Sequence, residues 1–253
     1  MNTCITVDLG LIGYAEACQL QKQLVAARKS HAIENVLLLC EHPHVLTLGR
    51  NGKHEHLLAS ELVLRQKGVQ FHATDRGGDI TYHGPGQLVA YPILDLTAIR
   101  KDVGWYVRML EEVMIRATAA FGIVASRVPG KTGIWVAATH VSEEKLGAIG
   151  VHLSRWVTSH GFAYNVSTDL RYFDLIVPCG IAGRKATSLE KILERAVARA
   201  EALAPIVDNF GEVLGVEMRA VTYPELLAQL RDTETSSAET SLESGQAVTA
   251  SLS

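Results

Sequence analysis

Arg76-Gly-Gly-Asp-Ile-Thr-Tyr-His83-Gly-Pro-Gly-Gln87 places four glycines and a proline in twelve residues. Core packing does not call for such a density. Glycine lets backbone approach a ligand closely, or take up a positive φ in a tight turn. The plainer reading is a hairpin turning at Pro85–Gly86. The spacing matches neither G-x-G-x-x-G nor G-x-x-x-x-G-K-[ST], so a dinucleotide fold or a P-loop gains no support. Strand patterns flank the stretch at Val69–Thr74, Ile80–His83 and Gln87–Leu94, so it lies between strands rather than opening a helix.

Working outward, Cys4–Leu9 alternates as a strand, and Tyr14 to about Lys29 reads as a helix with Ala15, Cys18 and Leu24–Val25 on one side. Asn35–Cys40 is a buried strand with Val45–Leu48 as its expected neighbour, and Ser60 caps a short helix. Asp102–Phe121 is the clearest helix, its stripe formed by Val103, Val107, Leu110, Met114, Ala117 and Phe121. Gly133–Ala138, Lys145–Leu153 and Val157–Asn165 read as an antiparallel set, and helical pattern with Pro205 inside it follows from Thr187. Runs of strands broken by single helices define an α+β fold with a mixed, mostly antiparallel sheet flanked by helices.

The chain has 253 residues, 47% of them apolar and 20% charged, a globular composition long enough to bury one large core. Twenty-four basic against 27 acidic side chains give −3, which speaks against nucleic acid as a partner. The four cysteines (Cys4, Cys18, Cys40, Cys179) have no C-x-x-C spacing, and the N-terminus has no signal-peptide pattern. The longest apolar run, around Val36–Cys40, is far short of a membrane span. A cytoplasmic protein is expected. Asp232–Ser253 holds ten Ser or Thr, four acids and no base, so residues 1–231 read as one domain and 232–253 as a disordered tail.

Two further segments bear on chemistry. In Val177-Pro-Cys179-Gly-Ile a cysteine lies outside any amphipathic stripe, which suits either a nucleophile or a structural thiol. Lys145 opens the apolar strand Lys145-Leu-Gly-Ala-Ile-Gly150, as a functional amine or a solvated strand end. His42, His44, His54 and His56 fall within fifteen residues, but no third ligand with metal spacing accompanies them, and no metal is expected. His83 or His160 paired with Cys179 would suit a hydrolase.

Together RGGDITYHGPGQLVAYPILDL, KLGAIGV, SHGFAYNV and VPCGI, with CEHPHVLTLGR at 40–50 and KTGIWV at 131–136, resemble the octanoyltransferases of lipoate biosynthesis, in the biotin/lipoate protein ligase superfamily. The resemblance runs from about residue 10 to 190. It implies the catalytic-domain fold of that superfamily and transfer of octanoyl from octanoyl-acyl carrier protein to the target lysine of a lipoyl domain. Cys179 is similar to the nucleophile that carries the acyl group as a thioester. Lys145 resembles the partner that lowers its pKa and handles the amine proton. Substrate contacts are implied for Arg76, Gly77, Gly78, Asp79, Ile80, Thr81, Tyr82 and His83, for Ala148, Ile149 and Gly150, and for Gly161, Phe162 and Ala163. The implied partners are octanoyl-acyl carrier protein, with lipoyl-acyl carrier protein as another donor, the lipoyl domains of 2-oxoacid dehydrogenase complexes and the glycine cleavage H protein. The enzyme is expected to act as a monomer without membrane, metal or cofactor. An amidotransferase moving acyl groups between lipoyl proteins and an ATP-dependent lipoate–protein ligase are the alternatives. Ligases resemble an RRxxGGG pattern and lack the cysteine, so Cys179 and HGPGQ favour the transferase.

Overall fold

A computed structural model describes residues 2–139, 142–177 and 185–233. Its centre is an eight-stranded mixed sheet in the order β11-β1-β2-β6-β10-β9-β8-β7, built from β1 (Asn2–Leu11), β2 (Asn35–Glu41), β6 (Gln87–Ile93), β7 (Ala125–Val128), β8 (Lys131–Thr139), β9 (Ser142–Ser154), β10 (Val157–Asn165) and β11 (Val216–Ala220). β1 runs parallel to both β2 and β11, and the remaining pairs are antiparallel. A second sheet of three strands joins β4 (Gln70–Ala73), β3 (Val45–Leu48) and β5 (Ile80–His83).

Strand alternation explains why β2 is apolar throughout. Leu37 and Leu39 pack on one face with α3 (Val103–Ala119) and α5 (Arg199–Leu214). Val36, Leu38 and Cys40 pack on the other face with α1 (Tyr14–Lys29) and with Leu226 and Leu230 of a helix over residues 223–233. A strand covered by helices on both sides has no polar face to present. α3 starts where Asp102 accepts the Trp105 N–H at 2.9 Å. The short helices α2 (Glu61–Gln66) and α4 (Leu189–Leu193) begin at Ser60 and Ser188 in the same manner.

Four expectations change. Val45–Leu48 does not pair with Asn35–Cys40: it is the middle strand of the small sheet, with its own core of Leu46, Leu64, Ile80, Tyr82 and Ile176. Pro85–Gly86 does not close a hairpin, because β5 belongs to the small sheet and β6 to the large one. Gly86 holds φ 79° at that crossing, and a Cβ there would lie 2.6 Å from the Ser167 carbonyl oxygen. The buried stripe of α1 is Tyr14, Ala17, Leu20, Gln21, Leu24 and Ala27, so Ala15 faces solvent. Beyond α5, β11 interrupts the helical pattern, and Asp232 and Thr233 belong to a helix over residues 223–233.

Candidate active site

A cavity of about 600 Å³ opens where β5 and the turn before it meet β9 and β10. Arg76, Gly77, Gly78, Asp79, Ile80, Thr81 and His83 line it from the glycine-rich side, facing Lys145, Ala148, Ile149, Gly150, Gly161, Phe162 and Ala163. Tyr82 does not reach it. Alternation along β5 turns Tyr82 away from Thr81 and His83 into the small core, where its hydroxyl meets His44 Nδ1 at 2.8 Å. Cys179 lies outside the described residues.

The two walls touch through backbone. The Gly77 N–H donates to the Val151 carbonyl at 2.9 Å, and a Cβ on Gly150 would stand 2.9 Å from the Gly77 oxygen. Any other residue at 150 would push the walls apart. Arg76 is buried and fastens the glycine-rich segment to β3: Nη2 donates to the Thr47 carbonyl at 2.6 Å and Nε to Thr47 Oγ1 at 3.2 Å. Asp79 lines the cavity while its carboxylate accepts from the Ile80 and Lys53 N–H groups and contacts His56 Nδ1.

Lys145 is aimed by an irregularity in the sheet. Ile134 pairs with Gly147 but Trp135 pairs with Lys145, so Leu146 is an extra residue on β9. Such a bulge redirects the neighbouring side chain. Lys145 Nζ then stands 4.7 Å from the centre of the Trp135 ring, a cation–π contact. The Lys145 N–H donates to the Lys185 carbonyl, and its own carbonyl accepts from Thr187, both at 2.9 Å.

A polar chain joins that backbone to His83. Asn165 Nδ2 donates to the Thr187 carbonyl at 2.9 Å, Gln87 Nε2 donates to Asn165 Oδ1 at 2.9 Å, and His83 Nδ1 donates to Gln87 Oε1 at 2.7 Å. Each amide orientation is fixed by the next, which sets the His83 tautomer. Burial, with His42 nearby, pushes the His83 pKa down to about 3, so the ring is neutral near pH 7. His42 donates through Nδ1 to the Ile12 carbonyl at 2.8 Å and accepts from the Tyr91 hydroxyl at 2.7 Å; burial pushes it down to about 4.

The four clustered histidines separate: His42 is internal, His44 stacks on Tyr172, His54 approaches Phe71, and His56 lines the cavity. Among the described residues no three His, Cys, Asp or Glu side chains converge as a metal site. Burial raises the thiol pKa of Cys4 to about 12 and raises those of Cys18 and Cys40, making all three poor nucleophiles. Sequence reasoning missed Tyr14, His56, Tyr91, Lys131 and Thr132 as lining residues and placed His160 only as a hydrolase decoy. Tyr14 and Tyr91 read as core from their apolar surroundings, and only the topology brings them to the cavity.

This arrangement, a cleft with Ile80, Val89, Ile149 and Phe162 among its lining and Lys145 on its wall, suits a carboxylic acyl group. The family model of the lipoyl protein ligase A/B catalytic domain matches residues 13–211. The chain belongs to that family. It is 52% identical over 235 residues to an octanoyltransferase of Acidobacterium capsulatum, covering 88% of this chain and 96% of that one. An octanoyltransferase of Solibacter usitatus is 55% identical over 196 residues, 78% of this chain and 86% of its own. Within the family the chain groups with these acyltransferases and is an enzyme of their type. A bi-partite lipoate protein ligase from Thermoplasma acidophilum shares the fold with a TM-score of 0.69 at 14% identity, over 92% of both chains. A lipoate-protein ligase A bound with ATP does so at 0.68 and 14%, over 92% of this chain and 94% of its own.

Proposed function

We propose that the chain takes octanoyl from octanoyl-acyl carrier protein onto Cys179 as a thioester and passes it to the target lysine of a lipoyl domain, with Lys145 as the partner of the thiol. The observation that carries this reading is the way the flanks of Cys179 are tied to the cavity. The Val177 N–H, two residues before it, donates to the carbonyl of the lining residue His56 at 2.8 Å. Lys185, six residues after it, accepts from the Lys145 N–H. A cavity of about 600 Å³ suits a small acyl chain, since small-molecule sites span about 300–1,000 Å³.

In this reading the Lys145 ammonium favours the Cys179 thiolate, the form that attacks the donor thioester. Exchange between two thioesters is nearly isoenergetic, and transfer to an amine is then downhill without ATP. Neutral Lys145 serves next as proton acceptor during attack by the incoming amine. The enzyme is proposed to work as a monomer in the cytoplasm, on the lipoyl domains of 2-oxoacid dehydrogenase complexes and on the glycine cleavage H protein.

Intact mass after mixing with octanoyl-acyl carrier protein and no ATP tests the reading. The expected result is a single octanoyl adduct that maps to Cys179, is released by hydroxylamine and discharges onto an added lipoyl domain. No adduct, together with modification of the lipoyl domain only when ATP and octanoate are supplied, would establish a ligase instead.

A further inference from the structure

His56 ends the 3-10 turn His54–His56 and lines the cavity with a side chain 19% exposed. Its Nδ1 makes a short contact with Asp79 Oδ2. The other carboxylate oxygen, Oδ1, accepts the Ile80 N–H at 2.7 Å and the Lys53 N–H at 3.3 Å, so Asp79 cannot turn away. A carboxylate only accepts, so the neutral imidazole carries its proton on Nδ1 and presents a bare lone pair on Nε2. Nε2 takes no hydrogen bond among the described residues. A carboxylate that orients an imidazole, whose free nitrogen borders a cleft, is the arrangement of a general base.

Proton balance gives that base a task. The acceptor lysine arrives as an ammonium with three N–H bonds, since its ordinary pKa is about 10.4. It leaves as an amide with one, so two protons must depart. Lys145 can relay one of them to the leaving sulfur, which restores the thiol. The other has no acceptor in that scheme.

We propose that His56, oriented by Asp79, takes the first proton from the incoming lysine ammonium. This rests on the thioester reading above. The ammonium proton passes to Nε2 and its bonding pair stays on nitrogen. The amine then attacks the thioester carbonyl; the C–N bond forms, the C–S bond breaks and its electron pair leaves with sulfur. The second nitrogen proton goes by way of Lys145 to that sulfur, and the His56 imidazolium returns its proton to water. The charged and titratable groups around His56 are Asp79 and the exposed Lys53–Glu55 pair, with Tyr14, Arg76, His83, Tyr91, Lys131, Lys145 and His160 on the cavity walls.

The test separates loading from discharge. Loading is followed by intact mass with octanoyl-acyl carrier protein, and discharge by adding a purified lipoyl domain to the loaded enzyme. His56→Asn keeps a donor for Asp79 but has no basic nitrogen. It should load within about threefold of the unaltered chain and discharge about 100-fold more slowly near pH 7. The deficit should shrink about tenfold per pH unit toward pH 9, as the free amine fraction rises. Imidazole should restore discharge to His56→Ala, which keeps the proposal testable if the Asn variant folds poorly. Discharge by His56→Asn at the unaltered rate, equal loss in both half-reactions, or a deficit independent of pH would each overturn the role. Failure of the unaltered chain to load would instead overturn the thioester reading beneath it.

Discussion

A histidine kept neutral by burial makes folding sensitive to acid, and burial holds His83, which lines the cavity, and its internal neighbour His42 in that state. His83 and His42 titrate at about 3 and about 4 when folded, against about 6.5 when unfolded. Below pH 6.5 the unfolded chain therefore binds protons that the folded chain refuses. Their contribution is fully present above pH 6.5 and is lost as the pH falls toward the folded values. Between about 6.5 and 4 each histidine should remove about 1.4 kcal/mol per pH unit. Urea titrations at pH 7 and 5 read this loss, and His83→Gln should flatten the dependence, leaving the share of His42, His44 and His160, which burial also pushes down. At the proposed reacting groups, Cys179→Ser should abolish the hydroxylamine-sensitive adduct. On the proposed pairing, Lys145→Ala should move the pH midpoint of Cys179 alkylation upward, because losing a neighbouring cation disfavours a thiolate; an unmoved midpoint would sink the pairing. Lys145 and the glycine-rich stretch could be singled out in the sequence because they break the local pattern. His56 stood out only as one of four clustered histidines, since its partner Asp79 is 23 residues away and only the fold brings the two together.

Among the elements, the β8–β9 pair depends on α3 for its position. Glu111, fully buried on α3, accepts the Gly133 N–H at 3.0 Å, Arg108 at 2.6 Å and Arg127 at 3.1 Å. Gly133 passes so close to β9 that a Cβ would lie 2.4 Å from the Gly147 oxygen. Glu111→Ala strands a buried N–H and two cations. Loss of one partner in a buried pair costs about 3–5 kcal/mol, and both arginines reach solvent, so a loss of about 2 kcal/mol in denaturant titration is expected. Strand and helix positions were legible because period-two and period-3.6 patterns are local. Pairing was not. Alternation shows that Val45–Leu48 is extended, but its partners are chosen by the long-range packing of Leu46 against Ile80 and Tyr82. β11 escaped notice because only Val216 of its five residues is buried.

For the molecule as a whole, the last helix among the described residues marks how far the chain can be shortened. Leu226 and Leu230 insert into the core beneath α1, and Thr233 Oγ1 donates to the Leu230 carbonyl at 2.7 Å. Truncation after Thr233 should leave both transfer rate and melting temperature unchanged. Truncation after Thr222 should remove about 3–6 kcal/mol, the burial of two leucines, as read by thermal melting. The acidic Ser/Thr-rich composition beyond Thr233 was readable from the sequence, whereas the helix before it was not, because its buried face is only two leucines wide. No helix among the described residues is long and apolar enough to cross a membrane.

The chain crosses from the small sheet to the large one at Gly86, a few residues beyond the part of the glycine-rich stretch, Arg76 to Thr81 and His83, that walls the cavity. On the proposed function an acyl chain seated there would be a shared filler, shielding apolar surface of two bodies that otherwise keep separate interiors. Occupancy should therefore slow amide exchange in Val45–Leu48 and Gln70–Ala73, which share a sheet with the lining strand β5, and the extent of slowing would record how tightly cargo welds the two sheets into one.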